Sequence, residues 1–241
     1  ILCAPSDADL LPTIRSRVRI LRLREPDVAD VARLIVQRTG VDEGVAEQSA
    51  RLAQRHIGMA QRLATDAASR QRRERTLRGV LGVRGVGDAV EIAATIVQSA
   101  TEDAKALTAE RDESERDALL RTLGVPPGSA VPPAVRSQVS ALEDEQKRRA
   151  TRSLRDGIDR VLTDLESLYR DTLMRQFGRD TELINRELTA EIESLATAWT
   201  PQHTLTVLDA IALTRTNLQG NAAPALALES MLITVATGRT P

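Results

Sequence analysis

The segment 10–18 contains the side chains of this chain that are best suited to hold a phosphate group. It reads Leu-Leu-Pro-Thr-Ile-Arg-Ser-Arg-Val, so that Arg15 and Arg17 stand on either side of Ser16. An arginine guanidinium is always charged, and its planar set of N–H donors matches two phosphate oxygens at once. The pattern therefore predicts fixed cations, at the mouth of a short apolar strand, that could be presented to a phosphate on another molecule.

A purely structural interpretation of the same segment is also open. Side chains alternate between the two faces of a strand, so the arginines could form only its solvent side. On that interpretation the solvent side holds Arg15, Arg17 and Arg19, and the inner side holds Val18, Ile20 and Leu23. The residues alone favour this structural interpretation, because charged side chains on an alternating strand usually form its solvent face.

Composition limits the classes of protein to consider. The chain has 241 residues, 41% of them hydrophobic, which is enough for two compact units or one extended helical unit. A net charge of −1 gives no basic field for sequence-independent nucleic-acid binding. The aromatic residues are Phe177, Tyr169 and Trp199 alone, too few for a base-stacking platform, so we expect an aliphatic core.

The single cysteine and the hydropathy pattern indicate the cellular compartment in which the protein works. Cys3 cannot form an internal disulfide, and its neighbours Leu2 and Ala4 predict that it is a small buried residue. No stretch approaches the roughly 20 apolar residues that span a bilayer. We expect a cytoplasmic protein that does not contact a membrane. Because Ile1 falls inside a predicted strand, we also expect the carboxy-terminal portion of a longer protein.

Three short helices are predicted after the first segment. Asp27 is suited to begin the first helix and Gly40 to end it. Asp42 is suited to cap the second helix. Gly58 is expected to interrupt the helical spacing of apolar residues, and a third helix is expected to begin near Met59. These helices predict a small lid-like bundle.

A long helical hairpin is predicted further along. Glycines in the range 79–87 indicate turn structure, and prolines in the range 126–133 exclude a continuous helix. The ranges 88–124 and 134–177 therefore predict two antiparallel helices, with charged flanking faces interpreted as solvated surface. Spacings of three and four residues predict the seam of the second helix, formed by Leu154, Ile158, Val161, Leu165, Leu168 and Thr172.

Amphipathic helices near 183–198, 203–217 and 222–236 complete an all-helical domain. The predicted fold is thus mainly α, with a remnant of an α/β domain at the amino terminus.

No metal site is predicted, since His56 and His203 have no cysteine or glutamate at ligand spacing. Glu143, Asp144 and Glu145 are adjacent on a helix and point in different directions, so they do not suit paired acid–base chemistry.

The chain resembles the bacterial clamp-loader subunits of the AAA+ family. In that family a strand similar to residues 1–6 leads to a Pro-Thr-Ile-Arg-Ser-Arg-Cys segment, which here is the segment 12–18 with Val18 in place of the cysteine. The closing run 221–229, Asn-Ala-Ala-Pro-Ala-Leu-Ala-Leu-Glu, is similar to the end of delta-prime-type subunits.

The resemblance implies three regions and a role in DNA replication. Residues 1–24 would end the AAA+ ATPase-type domain, 25–78 would form the helical lid, and 79–241 would form the oligomerising collar, with a charged insertion at about 101–152. The implied partners are the gamma/tau and delta subunits of the DNA polymerase III clamp loader, and through them the sliding clamp and primed DNA.

The resemblance also implies roles for the three polar residues of the first segment. Arg17 would act as an arginine finger toward ATP held by a neighbouring subunit, Ser16 would position the turn, and Arg15 would support the interface. This portion has no phosphate-binding glycine loop followed by lysine, so no cofactor is expected in it. The family's lid arginine is replaced by Gln61, with Arg62 one position later, which argues against ATP hydrolysis by this subunit itself.

Two other functions stay open. The chain could be a non-catalytic helical scaffold whose arginines serve solubility, or an independent ATPase whose phosphate loop lies upstream. A scaffold would tolerate the loss of Arg17, whereas an independent ATPase requires an intact upstream loop.

Overall fold

The computed structural model describes residues 2–4, 7–21, 26–126 and 128–237. Within these ranges all regular structure is helical and no strand is present, so the predicted mainly α fold is confirmed. Short 3₁₀ segments cover Asp7–Asp9, Pro133–Val135 and Arg186–Leu188. The α-helices are α1 (Pro12–Arg15), α2 (Val28–Thr39), α3 (Glu43–Leu52), α4 (Ile57–Thr65), α5 (Ala67–Gly82), α6 (Val86–Thr122), α7 (Arg136–Gln176), α8 (Thr189–Ala198), α9 (Pro201–Gln219) and α10 (Pro224–Thr237).

The amino-terminal strands predicted from the sequence are not formed in the described residues. Residues 2–4 and 18–21 have no regular structure, and the remainder of both predicted strands, including Leu23, lies outside the described residues. An isolated strand leaves its backbone N–H and C=O groups without a ladder, and the described ranges offer no second strand to pair with it. The burial predicted for Cys3 is also wrong, because without that strand its side chain is exposed.

The chain divides into two compact units, Ile1–Thr65 and Asp66–Pro241. The first unit contains α1 and the three helices α2, α3 and α4. The second contains α5 to α10. The division falls ahead of position 79, where the sequence placed the start of the collar, because α5 runs without a break from Ala67 to Gly82.

The helices of the first unit begin and end at the residues that favour helix termini. The Asp27 carboxylate accepts a hydrogen bond from Asp30 N at 2.7 Å at the start of α2, and Gly40 ends that helix with a left-handed φ of 70°. The Asp42 carboxylate accepts one from Gly44 N at 2.8 Å at the start of α3. These three features were predicted from the sequence and are confirmed.

The turn between α3 and α4 differs from the prediction. Gly58 lies inside α4, which begins at Ile57, so it does not interrupt the helical pattern. The interruption is made instead by Gln54 and Arg55, whose φ values of 47° and 70° are in the left-handed region.

The core of the first unit contains many alanines, whose small side chains allow α2, α3 and α4 to approach one another. Its buried residues are Val31, Ala32, Ile35, Ala46, Ala50, Leu52, Ala53, Ala60, Leu63 and Ala64.

The predicted helical hairpin is present as α6 and α7, joined by the range 123–135. A Cβ atom placed on Gly157 of α7 would lie 3.3 Å from Cβ of Ala100, so the two helices approach closely at this point. Four of the six predicted seam residues of α7 are buried, namely Ile158, Leu165, Leu168 and Thr172, while Leu154 and Val161 are half-buried.

Ion pairs join the two hairpin helices in the predicted insertion. Arg149 Nη1 lies 2.8 Å from Asp112 Oδ1 and 3.0 Å from Glu115 Oε2. Arg116 Nη1 lies 2.8 Å from Glu143 Oε1. Hydrogen bonds from Arg111 and Arg149 lower the pKa of the Glu115 carboxyl. The charged faces of the hairpin therefore include cross-helix contacts as well as the solvated surface that the sequence predicts.

The last helices pack against the base of the hairpin. The helix α10 contacts α6 and α9, and α7 contacts α8 and α9. The indole of Trp199, between α8 and α9, stacks on the ring of Tyr169 from α7 with a centroid distance of 5.7 Å. The largest fully buried side chains of this unit are Tyr169, Leu77, Ile158, Leu162, Leu165, Leu168, Leu188, Ile192, Ile211, Leu228 and Met231.

Candidate phosphate-binding arginines and the helical bundle

The helix α1 is a single turn that sets the positions of the two predicted phosphate-binding arginines. Pro12 stands at its first position, where the missing N–H costs no hydrogen bond and φ is already helical. Arg15 is its last residue, so it lies in a helical turn rather than at the mouth of a strand. Arg17 follows the turn, and its backbone N–H donates to Ile14 O at 2.9 Å.

Ser16 ends the turn and stabilises it from both its backbone and its side chain. Its N–H donates to Pro12 O at 3.0 Å, and its hydroxyl donates to Thr13 O at 3.3 Å. These two bonds fix the backbone and the side chain of Ser16 within the turn that separates Arg15 from Arg17. The geometry suits a residue that shapes the turn, because the hydroxyl is already used within it.

The side chains of Arg15 and Arg17 are exposed, as is that of Arg19. Within the described part of the chain, the guanidinium groups of Arg15 and Arg17 make no hydrogen bond or ion pair. A guanidinium without a carboxylate partner keeps all of its donors for another anion. The pair could therefore contact a phosphate on a separate molecule, which is the chemistry that the sequence predicts.

The lid position expected to hold a second phosphate-binding arginine is on α4. Gln61 and Arg62 are both half-buried there. The Gln61 carbonyl accepts a hydrogen bond from the Thr65 hydroxyl at 2.9 Å. Adjacent residues on a helix point about 100° apart, so Arg62 does not take the direction of Gln61.

The two histidines have different surroundings. His56 is exposed, and its Nδ1 accepts a hydrogen bond from Met59 N at 3.2 Å, which caps the first turn of α4. His203 lies on α9, edge-on to the indole of Trp199 at a centroid distance of 4.5 Å. Burial lowers the pKa of the His203 imidazole, against the contact with the Val235 backbone, which raises it. Among the described residues, no group of three or more histidine, cysteine, aspartate or glutamate side chains could hold a metal ion.

Sequence reasoning missed a buried polar network around Arg73 of α5. The Arg73 side chain donates through Nε to Asp164 Oδ1 at 2.8 Å, through Nη1 to Glu187 Oε1 at 3.0 Å and through Nη2 to Asn185 Oδ1 at 2.6 Å. Burial raises the pKa of the Asp164 carboxyl, with the charge of Arg73 acting against it. The network attaches α5 to α7 and to the segment that precedes α8.

Asn185 extends this network toward α7. Its backbone N–H and its side-chain Nδ2 each donate to Asp171 Oδ2 at 2.9 Å, and Nδ2 also donates to Ser167 Oγ at 3.1 Å. A signal for the network was present in the sequence, because Ser69, Arg73 and Leu77 follow one another at four-residue spacing and share a helix face. Because several neighbouring residues of α5 are also arginines, the stretch resembles a solvated surface, and the buried position of Arg73 is not apparent from the sequence.

A comparison with protein-family models relates the helical bundle to DNA replication. Residues 152–237 match the family described as "DNA polymerase III, delta subunit, C terminal". The match relates this chain to clamp-loader subunits. It covers the second half of α7 and all of α8, α9 and α10, about a third of the chain. No curated protein and no solved structure gives a significant match.

The helices of the described residues were also compared with the requirements of a membrane span. None of them is both long enough and apolar enough to cross a bilayer.

Proposed function

We propose that this chain is a delta-prime-type subunit of the DNA polymerase III clamp loader. In this role, the helices α2, α3 and α4 act as the lid, and the helices α5 to α10 act as the collar that joins the subunit to the gamma/tau and delta subunits; the boundary follows the two compact units rather than position 79. The assembly loads the sliding clamp onto primed DNA at the expense of ATP. This portion holds no nucleotide of its own and contributes to hydrolysis on a neighbour.

The observation that carries the proposal is the match of residues 152–237 to a DNA polymerase III subunit family, in a chain whose Arg15 and Arg17 side chains are exposed and have no hydrogen-bond or ion-pair partner among the described residues. The first feature supports membership of the assembly. The second supports a contact with an anion outside the chain, since Arg15 and Arg17 are exposed. Neither feature alone favours this role over the scaffold alternative.

Arg17 is the residue proposed to act on ATP bound to the neighbouring subunit. Charge builds up on the phosphoryl oxygens as the bond to the γ-phosphate breaks, and a guanidinium placed there offsets that charge. Ser16 holds the turn through its bond to Thr13 O at 3.3 Å. Arg15, two residues before Arg17, supports the same interface.

A delta-type role is the second candidate, because the description of the matched family names the delta subunit. A delta-type chain would bind and open the sliding clamp by itself. A delta-prime-type chain would require the ATPase subunits for any effect on the clamp. The two candidates therefore differ in a binding experiment without ATPase subunits.

Reconstitution tests the proposal. The full-length protein would be mixed with the gamma/tau and delta subunits and passed through gel filtration, and separately mixed with the sliding clamp alone. Co-elution with the ATPase subunits and no stable complex with the clamp alone would support the delta-prime-type role. A stable complex with the clamp alone would favour the delta-type role, and no complex in either mixture would contradict both.

A further inference from the structure

The connection between α6 and α7 is longer than a helical hairpin requires. The helix α6 ends at Thr122 and α7 begins at Arg136, so that thirteen residues, 123–135, join them. Antiparallel helices are commonly joined by about two to eight residues. The additional length is therefore available for a role other than joining the two helices.

The hairpin carries this connection away from the main core of its unit. That core includes Ala100 of α6 and Ile158 of α7, with Leu154 packed against it, and it contains none of the described residues between Ala100 and Leu154. An α-helix rises about 1.5 Å per residue, so the part of α6 beyond Ala100 extends about 30 Å. Ion pairs such as that of Arg149 with Asp112, at 2.8 Å, join the two helices of this arm.

We define the tip segment as residues 129–134, which lie at the end of the arm. The segment reads Ser-Ala-Val-Pro-Pro-Ala, has no charged residue, and is exposed except for the half-buried Val131. Pro132 has a φ of −60° and a ψ of 147°, which are polyproline II values, and a 3₁₀ turn begins at the next residue, Pro133. Because proline fixes φ in advance, such a segment loses little conformational entropy on binding, and proteins receive it in grooves lined by aromatic side chains.

Two arginines at the adjoining helix ends add charge to this surface. Arg121 Nε donates to Asp117 O at 3.3 Å, and Arg136 Nε donates to Val131 O at 3.4 Å. Both side chains are exposed, and neither has a carboxylate partner among the described residues. Their remaining N–H donors complement carboxylates at the border of a partner's groove.

A second copy of this chain does not provide a suitable groove. The aromatic residues of the chain are Phe177, Tyr169 and Trp199. Tyr169 is 0% and Trp199 is 5% exposed, so only the ring of Phe177 reaches the surface. One ring does not line a groove, and a nucleic-acid backbone would use the two arginines but gain nothing from the prolines.

We infer that the tip segment is a docking ligand for a different protein, which receives it in a groove lined by aromatic side chains and bordered by carboxylates. The inference goes beyond the proposed function and does not depend on it. The surface lies outside residues 152–237, which match the polymerase subunit family.

The experiment titrates the full-length protein into purified, isotope-labelled domains that hold proline segments in an aromatic groove. The probes are WW domains and the Src-homology domains that bind proline-rich segments, chosen for grooves bordered by carboxylates. Nuclear magnetic resonance of the labelled domain reports both the affinity and the residues that are contacted. We expect saturable binding by at least one probe, with the chemical-shift changes confined to its aromatic groove.

Variants of the arm test the prolines and the charges separately. Pro132→Ala should weaken binding about tenfold or more, while Ser114→Ala, an exposed position on α6, should bind like the parent protein. Arg136→Gln should weaken binding and reduce its dependence on salt, whereas Arg148→Gln, at an exposed arginine of the same helix, should change neither. All four positions lie outside the main core, so circular dichroism should show an unchanged fold.

Four results would overturn the inference and leave the proposed function standing. The first is the absence of saturable binding to every probe, and the second is equal binding by Pro132→Ala and the parent protein. The third is a set of chemical-shift changes that lies outside the aromatic groove. The fourth is the same salt dependence for Arg136→Gln and Arg148→Gln, which would exclude the carboxylate border.

Discussion

Arg73 and Asp164 lie 91 positions apart in the sequence, and the Arg73 Nε to Asp164 Oδ1 distance is 2.8 Å. This contact joins α5 to α7. Only 5% of the Arg73 side chain is exposed, and the same guanidinium also contacts Glu187 and Asn185. The attachment of α5 to the helical bundle therefore depends on a buried cation as well as on apolar packing.

Removal of this cation should strongly destabilise the second unit. Arg73→Ala leaves the half-buried Asp164 and Glu187 carboxylates without their partner. The loss of one member of a fully buried ion pair costs about 3–5 kcal/mol in free energy of unfolding, and because these carboxylates are about one quarter exposed we expect a value at or below the lower end of that range. Arg75→Ala is the matched control, since Arg75 is exposed on the same helix and should change stability by no more than about 0.5 kcal/mol. Chemical denaturation of both variants would measure the difference. Equal stability of the two variants would show that the network contributes little.

The contact between α6 and α7 at Gly157 gives a prediction about packing. A leucine at this buried position would overlap Ala100, because even a Cβ atom would lie 3.3 Å from the Ala100 Cβ. We expect Gly157→Leu to lower the free energy of unfolding by about 1–3 kcal/mol, as overpacking does elsewhere. Thermal and chemical unfolding would provide the measurement.

Gly82→Ala provides the control for that experiment. A Cβ atom at Gly82 meets no atom within 4 Å. The substitution should therefore raise stability by up to about 1 kcal/mol, because it restricts the unfolded chain without a clash. If Gly157→Leu were also neutral or stabilising, the two hairpin helices would not be as close as described.

The environment of His203 gives a prediction about pH. Burial lowers the pKa of His203 below its ordinary value of 6.5, so between the two pKa values the unfolded chain binds more protons than the folded one. Stability from this group is thus complete above pH 6.5 and is lost as the pH falls toward the folded-state pKa. Unfolding followed by the emission of Trp199 between pH 7.5 and 5.5 would measure it.

His203→Gln removes the titrating group and should flatten the dependence of stability on pH in that range. The variant keeps a polar side chain of comparable size next to Trp199. An unchanged dependence in His203→Gln would assign the effect to other groups.

Local signals in the sequence were sufficient for both ends of α2, for the start of α3 and for the hairpin. Asp27, Gly40 and Asp42 act through atoms within a few residues of themselves, so their effect can be predicted without the fold. The seam of α7 follows from the spacing of its apolar residues alone. Whether the range 18–23 forms a strand could not be predicted in this way, since a strand is stabilised by a partner strand elsewhere in the chain.

Long-range polar contacts were not predictable from the sequence. The spacing of Ser69, Arg73 and Leu77 indicates that Arg73 shares a helix face with an apolar residue, but it does not indicate its partners, which lie 91 to 114 positions away. The stacking of Trp199 on Tyr169 likewise depends on how α7 meets the α8–α9 connection. For the candidate site, the roles of Arg15, Ser16 and Arg17 stay predictions from the sequence, while the helical turn that contains Arg15 became visible only in the structure.

The most direct test of the account is the ATPase activity of the reconstituted clamp loader, with clamp and primed DNA present, when the full-length protein carries Arg17→Ala. Arg19→Ala is the matched control, because Arg19 is exposed in the same segment. Gel filtration would first show that both variants still assemble. The account predicts a large fall in turnover for Arg17→Ala alone, since arginine fingers contribute roughly 10³–10⁵ in rate at the site they serve. Turnover equal to that of the parent and of Arg19→Ala would contradict it and leave the chain a scaffold of the assembly.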